Sequence, residues 1–119
     1  MQNSVNDALL SAQLKPRVRT KVGEVGVKHD DGKPPISLIP RRAIEEEARV
    51  FGFEADKYGK GNWRGGLLYS RLIDAALRHV LAFADGENND PESGLPHTAH
   101  ARACLAMLMQ IDESWDDRK

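Results

Sequence analysis

The sequence holds one cysteine, Cys104, no uninterrupted apolar run of about 18 residues, no internal repeat and almost no net charge. A single cysteine excludes an intramolecular disulfide and fits a reducing, intracellular setting. With neither a long apolar run nor a charged start followed by a hydrophobic leader, no membrane partner is expected, and the protein reads as soluble and cytoplasmic. Lys and Arg number 17 against 18 Asp and Glu, for a net charge of −1, so no global electrostatic field favours nucleic acid. A length of 119 residues is most economically one domain with one core.

The apolar pattern is helical after Pro40. Ile44, Ala48, Phe51, Ala55 and Tyr58 recur at steps of three and four, with Glu45, Glu46, Arg49, Asp56 and Lys57 between them. Gly59-Lys60-Gly61-Asn62 ends that helix and Gly65-Gly66 adds a second break. Leu68, Leu72, Ala75, Ala76, His79, Val80 and Phe83 mark a second helix stopped at Gly86. A third starts at Pro96 and runs through Ala101, Cys104, Leu105, Leu108 and Ile111 toward Trp115. The expected fold is therefore all-α, a small antiparallel bundle of three main helices with an extended N-terminal arm. Three such helices bury a thin core, and the alanine-rich stripes point to a homodimer or higher homo-oligomer that completes it.

Residues 1–27 read as the arm, with a short helix over 4–13, and residues 28–119 as the helical domain. Lys15, Arg17, Arg19, Lys21, Lys28 and Lys33 crowd this N-terminal stretch, either as a solvated tail or as a lid that touches a phosphate-bearing ligand.

Three of the four histidines lie between His79 and His100. His97 and His100 are three apart and share one side of the first turn of the third helix, just after Asp90-Pro91-Glu92-Ser93-Gly94-Leu95-Pro96. Imidazoles from neighbouring helices, with Asp90 or Glu92 as an oxygen ligand, suffice chemically for a transition metal. The bland alternative keeps His79, His97 and His100 as core residues whose N–H groups meet carbonyls. Glu47 and Glu54, two turns apart on the first helix, either suit the helix dipole or add oxygen ligands for an ion such as Mg²⁺. Tyr58, Asn62, Trp63 and Arg64 combine stacking, hydrogen-bonding and phosphate-binding groups, although Trp63 could equally cap the helix ends. Arg71 and Arg78 share a face of the second helix, where they either snorkel or pair with carboxylates of the first.

The succession Lys28-His29-Asp30-Asp31-Gly32-Lys33-Pro34, Leu38-Ile39-Pro40, Ala55-Asp56-Lys57-Tyr58-Gly59, Asn62-Trp63-Arg64, Leu77-Arg78-His79 and Asp90 to Ala101 resembles the phage and prophage family of dATP/dGTP diphosphohydrolase N-terminal domains. The resemblance covers roughly residues 28–112 and implies recognition or hydrolysis of purine (deoxy)nucleoside triphosphates, in a phage nucleotide-pool or anti-defence role in the host cytoplasm. Two better-known hydrolase patterns fit less well. The adjacent His-Asp doublet of one occurs here only at His29-Asp30, in the arm, and the Glu-x-x-Asp motif of the all-α pyrophosphohydrolases is absent.

On this reading the chain is a metal-dependent phosphohydrolase. His79, Asp90, His97 and His100 serve as metal ligands or acid–base groups, Glu47 and Glu54 as further ligands, and Lys33, Tyr58, Asn62, Trp63, Arg64 and Arg78 contact the nucleotide. The cofactor is a divalent metal, Mg²⁺ or Mn²⁺ ahead of Zn²⁺. The alternatives are a non-catalytic module sequestering a cyclic nucleotide immune signal, and an accessory domain with no nucleotide at all.

Overall fold

The structure is a computed structural model, described over residues 31–118. The expected helix over 4–13 and most of the basic arm, Lys28 included, lie outside the described residues. Residues up to Leu38 form one unit and those from Ile39 another. In the first, Ile36–Leu38 make one 3₁₀ turn, and Lys33 is exposed.

The second unit holds three helices, α1 (Arg41–Tyr58), α2 (Tyr69–Ala84) and α3 (His97–Gln110), and no strand occurs among the described residues. α3 packs against both α2 and α1. Proline stands just before two helices: Pro40 and Pro96 occupy the N-cap positions, where a missing N–H costs no helical hydrogen bond. The third helix thus begins one residue after the predicted proline. α1 stops at Gly59, whose φ of +98° few side chains tolerate and whose N–H closes on the Ala55 carbonyl at 2.8 Å.

The core is two seams along α3. Val50 meets Ala99 and Ala103 on one, with Phe51 and Leu95 against them. Leu72 and Ala76 meet Cys104 on the other, flanked by Leu67, Met107, Leu108 and Ile111. Alanines on α3 let both neighbours approach closely. The stripe expected on α1 is not the buried one: Ile44, Ala48 and Tyr58 are exposed, whereas Val50 is buried. With its packing concentrated on α3, α1 needs only a narrow contact line, and much of the Phe51–Ala55–Tyr58 edge faces an open cleft.

α3 ends at Gln110, short of Trp115. Ile111 turns extended, and Asp112 caps the 3₁₀ turn Glu113–Trp115 by accepting the Ser114 N–H at 2.7 Å. This return lays the Trp115 ring over Gly66, where a Cβ would sit 2.0 Å from ring carbons. Asp117 then accepts the Ser70 N–H at 2.9 Å and so supplies, from the far end of the chain, the cap that α2 lacks locally. Leu77, Val80, Leu81, Leu105 and Met109 are exposed. No helix among the described residues is long and apolar enough to cross a membrane.

Candidate metal centre and nucleotide cleft

The connection from α2 to α3 is a tight, hydrogen-bonded turn. Gly86, at φ +102°, reverses the chain. Asn89 and Pro96 then pair antiparallel: the Asp90 N–H bonds the Leu95 carbonyl at 2.8 Å, and the His97 N–H bonds the Asn88 carbonyl at 2.9 Å. Within the turn the Asp90 carboxylate accepts the Ser93 N–H at 3.0 Å, the local side-chain bond that Asp favours in turns. Asp90 and the first turn of α3 are thereby fixed against each other.

Helical spacing does the rest. His97 and His100 sit on the side of α3 that faces α2, where His79 projects between them. His79 Nδ1 and His97 Nδ1 are 2.8 Å apart, and the His100 ring stacks on His79 with centroids 4.5 Å apart and 11° between planes. His79, Asp90 and His97 each bring one ligand atom into a group spanning no more than 4.8 Å. His100 Nε2 instead bonds Ser93 Oγ at 2.7 Å and stands 3.8 Å from Asp90.

Protonation states favour a cation at this group. Burial, followed by the neighbouring His100 and His97, lowers the pKa of His79, and burial likewise lowers that of His100, so both imidazoles stay neutral at pH 7. Burial pushes Asp90 upward, but the hydrogen bonds from Ser93, aided by His100 and His79, outweigh it and hold the carboxyl below its ordinary value. Imidazole nitrogens beside an ionised carboxylate form a donor set that a divalent ion can accept.

A cleft of about 1140 Å³ opens beside this group. Its floor is α3, with His100, Ala103 and Cys104; α1 and α2 form the walls, and the 3₁₀ turn Asn62–Gly65 lies at the rim. Tyr58, Asn62, Trp63, Arg64, Arg78 and Glu54 all line it. His79 belongs to both cleft and metal group. Trp63 is anchored by Phe51, ring centroids 6.1 Å apart, and the Arg64 guanidinium lies 4.5 Å over its ring. Arg64 and Arg78 have no carboxylate partner among the described residues, which leaves both guanidinia available to an anion. Burial pushes the Cys104 thiol up to about 11, so it is no nucleophile at neutral pH. Lys57 donates to Glu92 and is held charged by it, which ties the end of α1 to the Asp90 turn.

Not every sequence-predicted residue comes together here. Glu47 accepts from Arg102 at 2.9 Å between α1 and α3 and is not part of the metal group. Glu54 faces the cleft without joining that group. Arg71 and Arg78 pair with no carboxylate of α1; Arg102, unremarked in the sequence, does so instead. Glu87 was also missed: its carboxylate accepts the His97 Nε2–H at 2.6 Å from a loop position that carries no periodic signal.

A family model described as dATP/dGTP diphosphohydrolase, N-terminal, matches residues 23–118. A protein of Salmonella phage PMBT28 named dATP/dGTP diphosphohydrolase is 44% identical over 97 residues, which are 79% of this chain and 33% of the relative. The chain thus spans about a third of that protein's length. No solved structure matches the chain.

Proposed function

The chain belongs to the dATP/dGTP diphosphohydrolase N-terminal family, and we propose that its cleft binds a purine deoxynucleoside triphosphate beside a divalent metal and promotes hydrolysis of a phosphoanhydride bond. The observation that carries this reading is the position of His79, which lines the cleft and also faces His97 across 2.8 Å. A ligand lying in the cleft therefore ends against the metal group. The relative's name supports the purine deoxynucleotide class.

In this reading the base stacks on Trp63 and Tyr58 at the rim, with Asn62 and Glu54 offering hydrogen bonds to its edge. Arg64 and Arg78 bind the phosphates, bidentate contacts for which a planar guanidinium is suited. His79, Asp90 and His97 fit a divalent ion by their donor set, two imidazoles and one carboxylate. Such an ion supplies neutralisation of phosphate charge and a lowered pKa for water. His100, buried and neutral, stands on the cleft floor with Nε2 on Ser93 Oγ, positioned to take up a proton released during attack on phosphorus. Arg64 and Arg78 stabilise the charge that develops on the phosphoryl oxygens.

A second reading uses the same aromatic and basic cleft groups, Tyr58, Trp63, Arg64 and Arg78, to hold a nucleotide such as a cyclic nucleotide signal without cutting it, as a binding module whose ligand is returned intact. Thermal-shift measurements with dATP, dGTP, their ribose analogues and cyclic dinucleotides, with and without Mn²⁺, followed by chromatography of the recovered nucleotide, separate the two. A metal-dependent shift with product supports hydrolysis, a shift with intact ligand supports the binding module, and no shift contradicts both.

A further inference from the structure

We infer that Glu87 is a positioning residue for the metal group, fixing the tautomer of His97 and raising the strength of that imidazole as a ligand; this rests on the metal reading above. Glu87 Oε1 lies 2.6 Å from His97 Nε2. A carboxylate only accepts hydrogen bonds, so Nε2 carries the proton. A ring with its proton on Nε2 presents the Nδ1 lone pair, and Nδ1 is the atom that lies 2.8 Å from His79 Nδ1.

The two ends of His97 thus have separate partners: an anion behind and the open group in front. A carboxylate behind a ligating imidazole orients the ring and increases its basicity, which strengthens bonds to ions that accept nitrogen. The imidazole is 4% exposed, so water cannot easily replace Glu87 as the acceptor. Glu87 itself is more than half exposed, at 52%, and reaches inward from the turn that Gly86 makes after α2. A residue needed only for packing would not place a solvated carboxylate on a buried ring nitrogen. His100 Nε2 instead bonds the Ser93 hydroxyl at 2.7 Å, with the Asp90 carboxylate at 3.8 Å, and His100 is not part of the metal group.

The test is titration calorimetry with Mn²⁺, and separately Zn²⁺, on wild type, Glu87→Gln, Glu87→Ala and His97→Ala, together with ¹⁵N spectra of the histidine rings in metal-free protein. Glu87→Ala is expected to weaken metal binding about ten- to a hundredfold and to move the His97 ring away from a pure Nε2–H form. Glu87→Gln, whose amide oxygen still accepts the bond, is expected to keep the tautomer and recover part of the affinity. Affinity in Glu87→Ala within twofold of wild type, with His97→Ala defective, overturns the role of Glu87 while leaving the metal site standing. Failure of wild type to bind either ion overturns both. Melting of the metal-free variants reports any loss of folding separately, and affinities are compared per folded molecule.

Discussion

His79 and His97, eighteen residues apart in sequence and on different helices, place their Nδ1 atoms 2.8 Å from each other. With Glu87 accepting from His97 Nε2, that approach is a hydrogen bond from His79 to His97, and in the proposed metal reading the same two nitrogens serve as ligands. Replacing His97 with alanine should abolish measurable Mn²⁺ and Zn²⁺ binding while leaving the helical content unchanged. Calorimetry and circular dichroism of the same sample check this.

The lowered pKa values of His79 and His100 set a direction for stability against pH. Both groups resist protonation in the fold but protonate freely when unfolded, so the unfolded state binds more protons below its own histidine value of about 6.5. The contribution is intact above that value and is lost as pH falls through it toward the folded values. Melting temperature in the presence of a chelator should therefore drop between pH 7.5 and 5.5, and His100→Asn should flatten the curve.

Trp63 lines the cleft, where the proposed reading stacks the base on it, and it belongs to neither buried cluster. Trp63→Ala should weaken purine nucleotide binding by about 1–3 kcal/mol, the usual worth of one base on one aromatic ring. Its effect on melting should be small by comparison, as fluorescence titration and thermal denaturation would show.

Gly66 combines a φ of +115° with a Trp115 ring so close that a Cβ would lie 2.0 Å from it. Gly66→Ala must displace the ring and strain the backbone, at a cost of about 1–3 kcal/mol. Urea denaturation should show the loss, and near-ultraviolet dichroism should show the changed tryptophan environment.

Cys104 is buried, with its thiol pushed up to about 11. Alkylation at pH 8 should be slow in the native protein and fast in denaturant. Rapid native labelling would contradict its place beneath the cleft.

The helices were legible because their signals are local. Proline before α1 and α3, glycine after α1 and periodic apolar residues in α2 all act within a few residues. The stripe on α1 was misread because periodicity reports amphipathicity and not the number of neighbours; with its packing concentrated on α3, Val50 is buried and Ile44 is not. The convergence of His79 on His97 depends on how far α3 slides along α2, a quantity set by the Asp90–Pro96 turn and by the seam of Leu72, Ala76 and Cys104. Glu87 and Arg102 carried no signal at all, since each acts through a side-chain contact across ten or more residues. Trp115 looked like a helical residue because its spacing from Ile111 is four, yet Ile111 turns the chain away.

His79 lines the cleft and belongs to the His79–Asp90–His97 group, so the proposed reading couples nucleotide and metal binding through it. The direct measurement is the affinity of a non-hydrolysable dGTP analogue with and without Mn²⁺, in wild type and in His79→Ala. Mn²⁺ should tighten wild-type binding by about tenfold or more, within the usual range for coupled sites, and the gain should vanish in the variant. Equal affinity with and without Mn²⁺ in wild type would contradict the coupling and separate the cleft from the metal group.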